Sequence, residues 1–139
     1  MTAQQLFAVF GTVVALHCVV MAGLTGTLRV MRKQWINPED AKMNKGEQVE
    51  QDHPDVARAK RAHYNLLENA VPFFLVGYLY AAVAPNATAA LVYYATFAGT
   101  RILHSVFYLW GRQPFRTAMF AIGVMCIVGM ATQVIRTAV

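Results

Sequence analysis

Arg58-Ala59-Lys60-Arg61-Ala62-His63-Tyr64-Asn65-Leu66-Leu67-Glu68-Asn69-Ala70-Val71-Pro72-Phe73-Phe74 passes from a cluster of cations into an apolar run without a break. Arg61, Asn65 and Glu68 recur at steps of four and three, which places them on one face of a helix. Glu68 lies past the start of the apolar run. A carboxylate carried into a bilayer costs about 2.5 kcal/mol or more unless a partner or ligand compensates it. The stretch therefore predicts a helix that enters a membrane with a polar site at its mouth.

Composition agrees with a membrane setting. Of the 139 residues, 57% are hydrophobic and 14% are charged, against about 25% charged in an average soluble domain. The mean hydropathy is +0.39. A soluble chain of this length buries only about two thirds of its unfolded surface, too little to absorb so much apolar area. The formal net charge of +5 does not point to nucleic acid, because the cations flank apolar runs and no basic-aromatic platform accompanies them. Cys18 and Cys126 both lie in apolar runs and read as packing residues rather than a disulfide framework. The N-terminus lacks a basic region followed by a cleavage site, so the first apolar run is expected to remain as a span.

Four runs approach the roughly 20 residues that a spanning helix needs. They are expected at about 5–28, 66–84, 88–110 and 115–135. Pro72 sits one turn into the second and predicts a kink there. Ala84-Pro85-Asn86-Ala87 and Gly111-Arg112-Gln113-Pro114 read as short turns. Short turns make successive helices antiparallel neighbours, so the expected fold is an all-α, integral membrane, up-down four-helix bundle. The connection at about 29–60 holds most of the charge, the second turn holds none, and Arg112 and Arg116 follow at the third. The positive-inside rule then places the first and third connections in the cytoplasm, with Arg136 a single vote against. There is no internal repeat, low-complexity tract or flexible linker, so residues 1–139 read as one domain.

Polar residues cluster at the cytoplasmic ends of all four expected spans. They are Arg29 on the first, Arg61, Asn65 and Glu68 on the second, Arg101, His104, Ser105 and Tyr108 on one face of the third, and Arg116 and Thr117 on the fourth. Together they can line a cationic pocket for an anionic ligand, since arginine pairs bidentately with carboxylates. Plainer roles stay open. Arg29, Arg32, Lys33 and Arg112 are also readable as anchors in anionic lipid. Glu68 is also readable as a structural ion-pair partner of Arg101 or Arg61. His17, alone in the first run, reads as a hydrogen-bonded packing residue. No pair among His17, His63 and His104 clearly makes a bis-histidine haem site, and no metal site, phosphate loop, Cys-x-x-Cys or Gly-x-Ser-x-Gly is present.

The strings Thr25-Gly26-Thr27-Leu28-Arg29, Asn37-Pro38-Glu39-Asp40, Arg61-Ala62-His63-Tyr64-Asn65-Leu66-Leu67-Glu68-Asn69 and Pro72-Phe73 follow one another at separations that resemble the MAPEG superfamily. These are membrane-associated proteins of eicosanoid and glutathione metabolism. Arg101-x-x-His104-x-x-x-Tyr108 and Pro114-x-Arg116-Thr117 extend the resemblance over nearly the whole chain. It is strongest to the branch of the microsomal glutathione S-transferases and prostaglandin E synthase. The resemblance implies a homotrimer of four-helix subunits in the bilayer, with glutathione bound between adjacent subunits near the cytoplasmic face. Carried across, Arg29, Arg61, Asn65, Glu68, His104 and Tyr108 match glutathione-contacting positions, and Tyr64 matches another. Arg116 matches the catalytic arginine and also a cofactor contact, with Thr117 beside it.

Three positions depart from the prostaglandin synthase branch. Tyr64 stands where it has a glutathione-binding arginine, Phe120 where it has a tyrosine, and Thr117 where it has a serine. The first two tilt the reading toward general glutathione transfer. The implied activity is conjugation of glutathione to hydrophobic electrophiles, a detoxifying reaction, with peroxidase action on lipid hydroperoxides as a companion. Arg116 would stabilise the thiolate, and Thr117 would donate a second hydrogen bond to the sulfur. Two other readings are a prostaglandin E synthase-like isomerase and a non-catalytic lipid-binding scaffold. Small multidrug transporters, which place a glutamate in their first span, do not fit a first run without an acid. The expected site faces the cytoplasm from a multi-pass protein of a bacterial inner membrane or the endoplasmic reticulum.

Overall fold

The computed structural model describes residues 1–83 and 85–139. Five helices and two short strands follow one another as α1 (Ala3–Arg32), β1 (Gln34–Trp35), α2 (Pro38–Met43), β2 (Glu47–Gln48), α3 (Pro54–Ala82), α4 (Ala87–Leu109) and α5 (Gln113–Ala138). Local chemistry sets the starts. Thr2 and Gln5 form a reciprocal capping box on α1. Asn86 accepts from the Thr88 and Ala89 amides at the start of α4. Prolines occupy the first turn of α3 and of α5. α3 continues through Pro72 as one helix. Ala84, which ends the expected second span and opens the expected turn, lies outside the described residues.

Contacts between side chains fix how the long helices run. Phe7 of α1 meets Tyr78 of α3, while Met21 packs with Ala62 and Leu66 at the other end. Phe73 stacks on Phe97, whereas the Tyr94 hydroxyl donates to the Gly77 carbonyl, so α3 and α4 also run oppositely. Arg101 reaches Met119 and Gln133 reaches Tyr93, which makes α4 and α5 antiparallel. The alternation carries the polar ends of α1, α3, α4 and α5 to one end of the molecule. The core between them is aromatic. Phe73 and Phe97 lie parallel at 4.0 Å between centroids, and Phe73, Tyr80, Tyr94 and Phe97 are fully buried.

Two helices, α1 and α5, are long and apolar enough to cross a membrane. Only 22% of the apolar stretch of α1 and 17% of that of α5 is buried. A core helix of a soluble protein would hide such residues, so these faces suit lipid or another apolar surface. α3 is less apolar because it carries Arg58, Lys60, Arg61 and Glu68.

Helices extend past the apolar runs, and the connection expected at about 29–60 is shorter and more ordered than its charge implied. Arg29 and Arg32 belong to the last turn of α1, and α3 already begins at Pro54. Hydropathy marks where lipid is tolerated, while Ala57-Arg58-Ala59-Lys60-Arg61-Ala62 consists of strong helix formers. Between them, β1 pairs in parallel with β2 across α2. Trp35 closes this segment: it is 6% exposed and lies where a Gly46 Cβ would fall, 1.8 Å from the indole. Only glycine fits there.

Asp52 ties the connection to both flanking helices. Its carboxylate accepts from Lys60 at 2.8 Å and from Arg29 at 3.3 Å. Burial alone would raise its pKa, but the Lys60 hydrogen bond and the Arg29 and Lys60 charges outweigh that and hold it below the ordinary carboxylate value. A lowered folded pKa adds stability that is present above the unfolded carboxylate value and is lost as pH falls through the folded one. The expected outcome is that hydrogen-exchange protection over residues 47–56, taken relative to the intrinsic amide rate at each pH, falls on acidification through the carboxylate range, and that Asp52→Asn is weakly protected already at neutral pH. An Asp52→Asn profile identical to the parent's would show that the tie does not hold the segment.

Candidate functional site

The polar end of the helices encloses a cavity of about 310 Å³ lined by Asn65, His104, Tyr108, Arg116, Thr117 and Phe120. Each helix supplies its residues by register. His104 and Tyr108 are one turn apart on α4, with ring centroids 5.7 Å apart. Arg116, Thr117 and Phe120 come from the first two turns of α5, and Asn65 projects from α3. The Arg116 guanidinium carbon sits 4.5 Å from the Tyr108 ring centroid. Stacking on an aromatic face fixes the plane of a guanidinium and leaves its N–H edge free to donate. Phe120 closes the wall 6.4 Å from His104.

The electrostatics favour an anion. Among the described residues, Arg116 has no carboxylate partner. It sits at the N-terminal end of α5, where the helix dipole adds positive potential. Asn65 contributes an acceptor: its Oδ1 is buried without a hydrogen-bond partner among the described residues. A ligand that presents an N–H to Asn65 and a negative charge to Arg116 would satisfy both.

The structure brings together five of the nine expected site residues: Asn65, His104, Tyr108, Arg116 and Thr117. Arg61, Tyr64 and Glu68 are exposed on the outer face of α3. That face continues into the exposed apolar residues Val71, Leu75 and Tyr78. Arg29 is engaged with Asp52 rather than with the cavity. Among the described residues, Glu68 pairs with neither Arg61 nor Arg101, so the ion pair weighed for it is not formed. The reason is geometric: Glu68 projects outward, whereas Arg101 is buried and donates to the Met119 carbonyl at 2.7 Å.

His17 does form the hydrogen bond expected of a packing residue, 2.9 Å from Ser105 Oγ. The Ser105 hydroxyl gives its hydrogen to the Arg101 carbonyl, so His17 Nε2 is the donor. Sequence reasoning missed the part played by Asp52. It pairs with Arg29 across 23 residues of chain, and no periodicity signals such a contact.

The site belongs to a class of all-helical proteins with membrane-capable helices and a cationic cavity at one end. A MAPEG family profile matches residues 7–136, and the chain belongs to the MAPEG family. It is 35% identical to microsomal glutathione S-transferase 1 of Mus musculus over 136 residues, covering 94% of this chain and 88% of that protein. It is 33% identical to microsomal glutathione S-transferase 1 of Homo sapiens over the same length, with the same coverage. It is also 33% identical to prostaglandin E synthase of Homo sapiens over 130 residues, 93% of this chain and 86% of that protein.

Because Asn65 Oδ1 has no partner among the described residues, its removal should cost the fold little. Asn65→Leu is expected to keep thermal stability within about 1 kcal/mol of the parent or to raise it, since it deletes a buried unpaired acceptor. A loss of several kcal/mol would mean that Oδ1 is satisfied within the folded protein.

Proposed function

We propose that this protein is a membrane-bound glutathione transferase that conjugates glutathione to hydrophobic electrophiles. The single observation that carries this reading is Arg116, stacked on Tyr108 and, among the described residues, without a carboxylate partner, facing a cavity that it shares with Thr117 and Asn65. The relatives named for glutathione transfer support it.

A free thiol with a pKa near 8.5 is only a few per cent thiolate at pH 7. Lowering that pKa by about two units takes about 2.7 kcal/mol. One charge-assisted hydrogen bond from Arg116 supplies nearly that much, and the Thr117 hydroxyl adds a second donor. The thiolate then attacks an electrophilic carbon: the S–C bond forms, the leaving group departs with its electron pair or the electron pair of a polarised double bond takes up a proton. With a lipid hydroperoxide, the thiolate takes the distal oxygen and releases the alcohol, and a second glutathione displaces water to give the disulfide. Both routes need no protein nucleophile and no metal.

The wider architecture in this reading is a homotrimer of four-helix subunits in a multi-pass membrane arrangement, with the cavity facing the cytoplasm. The outward Arg61, Tyr64 and Glu68 support it, because they stand beside an exposed apolar stripe on α3 where a neighbouring subunit would complete the glutathione site. Glu68 would take the ligand's ammonium and the arginines its carboxylates. Apolar substrate would arrive laterally from the bilayer. Phe120, which lines the cavity without a hydroxyl, favours general transfer over prostaglandin E synthase-like isomerisation.

The test is Arg116→Leu assayed with glutathione and an apolar electrophile. Turnover should fall on the order of 10²- to 10³-fold, the effect of deleting one donor aimed at developing or held negative charge, while sedimentation still reports the assembled oligomer. Undiminished turnover would remove Arg116 from the chemistry.

A further inference from the structure

Arg101 is the largest fully buried side chain among the described residues and is 1% exposed. Among the described residues no carboxylate pairs with it. Its guanidinium lies between Phe97 of α4, 5.6 Å away, and Phe120 of α5, 5.8 Å away. Nη2 donates to the Met119 carbonyl at 2.7 Å and to the Phe120 carbonyl at 3.4 Å. Nε and Nη1 are buried with no hydrogen-bond partner among the described residues. Gly123 opens the space for this arrangement, since a Cβ there would fall 2.6 Å from Nη2 and 3.0 Å from the guanidinium carbon.

A buried cation without a counter-charge is poor value for stability, because a methionine would fill similar space without desolvating a charge. What it provides is direction. Apolar contacts between antiparallel helices tolerate sliding, and a slide of one turn moves a residue about 5.4 Å along the axis. A guanidinium that donates to two consecutive carbonyls of the facing helix tolerates far less. The tie point lies one turn before His104 on α4 and about one turn after Arg116 on α5. It also rests on Phe120, which lines the cavity.

We propose that Arg101 is a positioning residue: it locks α5 in register against α4, so that Arg116, Thr117 and Phe120 meet His104 and Tyr108 across the cavity. Its structural consequence rests on geometry alone. Its catalytic consequence rests on the glutathione reading. Asn65, His104 and Tyr108 stay in place without the lock, so its loss should disturb thiolate activation more than glutathione binding.

The test uses the full chain in detergent or nanodiscs, with Arg101→Met, Arg101→Lys, Gly123→Ala and the Arg101→Met/Gly123→Ala double variant. Without glutathione, hydrogen exchange over residues 115–124 should rise about tenfold in Arg101→Met and in Gly123→Ala and stay unchanged over 69–80, because local opening is confined to α5. With glutathione, kcat should fall about tenfold or more while KM for glutathione moves less than about threefold, the signature of a lost transition-state interaction. Arg101→Lys should recover part of kcat. In the Arg101→Met background, Gly123→Ala should add nothing, because the guanidinium it displaces is gone. Exchange and kcat at parent levels in both Arg101→Met and Gly123→Ala would overturn the lock, and so would exchange that rises across the whole chain with kcat and KM changing together. The α5 exchange pattern in the variants, with a parent that neither binds nor turns over glutathione, would reject the glutathione reading and leave the lock standing.

Discussion

Charge in this chain is segregated, and the rest of the structure follows from that constraint. From Ala87 to the C-terminus there are four arginines and no acid, while six of the seven acidic residues lie between Glu39 and Asp55. The acids settle the cations near them: Asp52 takes Arg29 and Lys60, and Asp55 takes Arg32. Among the described residues no such pair reaches α4 or α5. Arg101 is left to backbone carbonyls and aromatic faces, and Arg116 to the face of Tyr108. A cation in an apolar helical frame without a carboxylate of its own is a standing invitation to an anion from outside.

The aromatic core and the polar cavity are two ends of one arrangement. Antiparallel alternation puts Phe73, Tyr80, Tyr94 and Phe97 at one level and the cavity residues at another. The tyrosine hydroxyls of the aromatic level are satisfied internally. Tyr94 donates to the Gly77 carbonyl, and Tyr80, Gln133 and Tyr93 form a chain. The cavity level is not, as Asn65 Oδ1 is left without a partner among the described residues. Satisfied networks rigidify packed helices, and an unsatisfied acceptor that lines a cavity is one that a ligand can complete.

Much of this was legible in the sequence, and the reasons differ by residue. Arg101, His104 and Tyr108 fall on one helix face by spacing, Asn65 falls on another with Arg61 and Glu68, and Arg116 and Thr117 open the fourth apolar run; the family strings add the roles. The direction of Arg61, Tyr64 and Glu68 was not legible, because a shared helix face says nothing about whether it turns toward its own bundle or away. Asp52 was invisible because its partners are set by the path of the connection rather than by periodicity. The polar start of α3 was underestimated because hydropathy follows lipid compatibility, while helix propensity decides where the hydrogen bonds begin. Spacing makes Arg101 a pocket-lining residue or an ion-pair partner of Glu68, and the structure makes it neither. Its carbonyl partners lie on another helix, and the slot at Gly123 that admits it exists only once α4 and α5 are packed.

The most direct measurement is thiolate absorbance at the ultraviolet edge when glutathione is added to the detergent-purified protein at neutral pH, with Arg116→Ala alongside. A thiolate band in the parent that is absent from Arg116→Ala is the predicted result, because it places a lowered thiol pKa at this arginine. No band in the parent, together with no glutathione binding by calorimetry, would contradict glutathione activation and leave the cavity as the ligand site of a non-catalytic membrane protein.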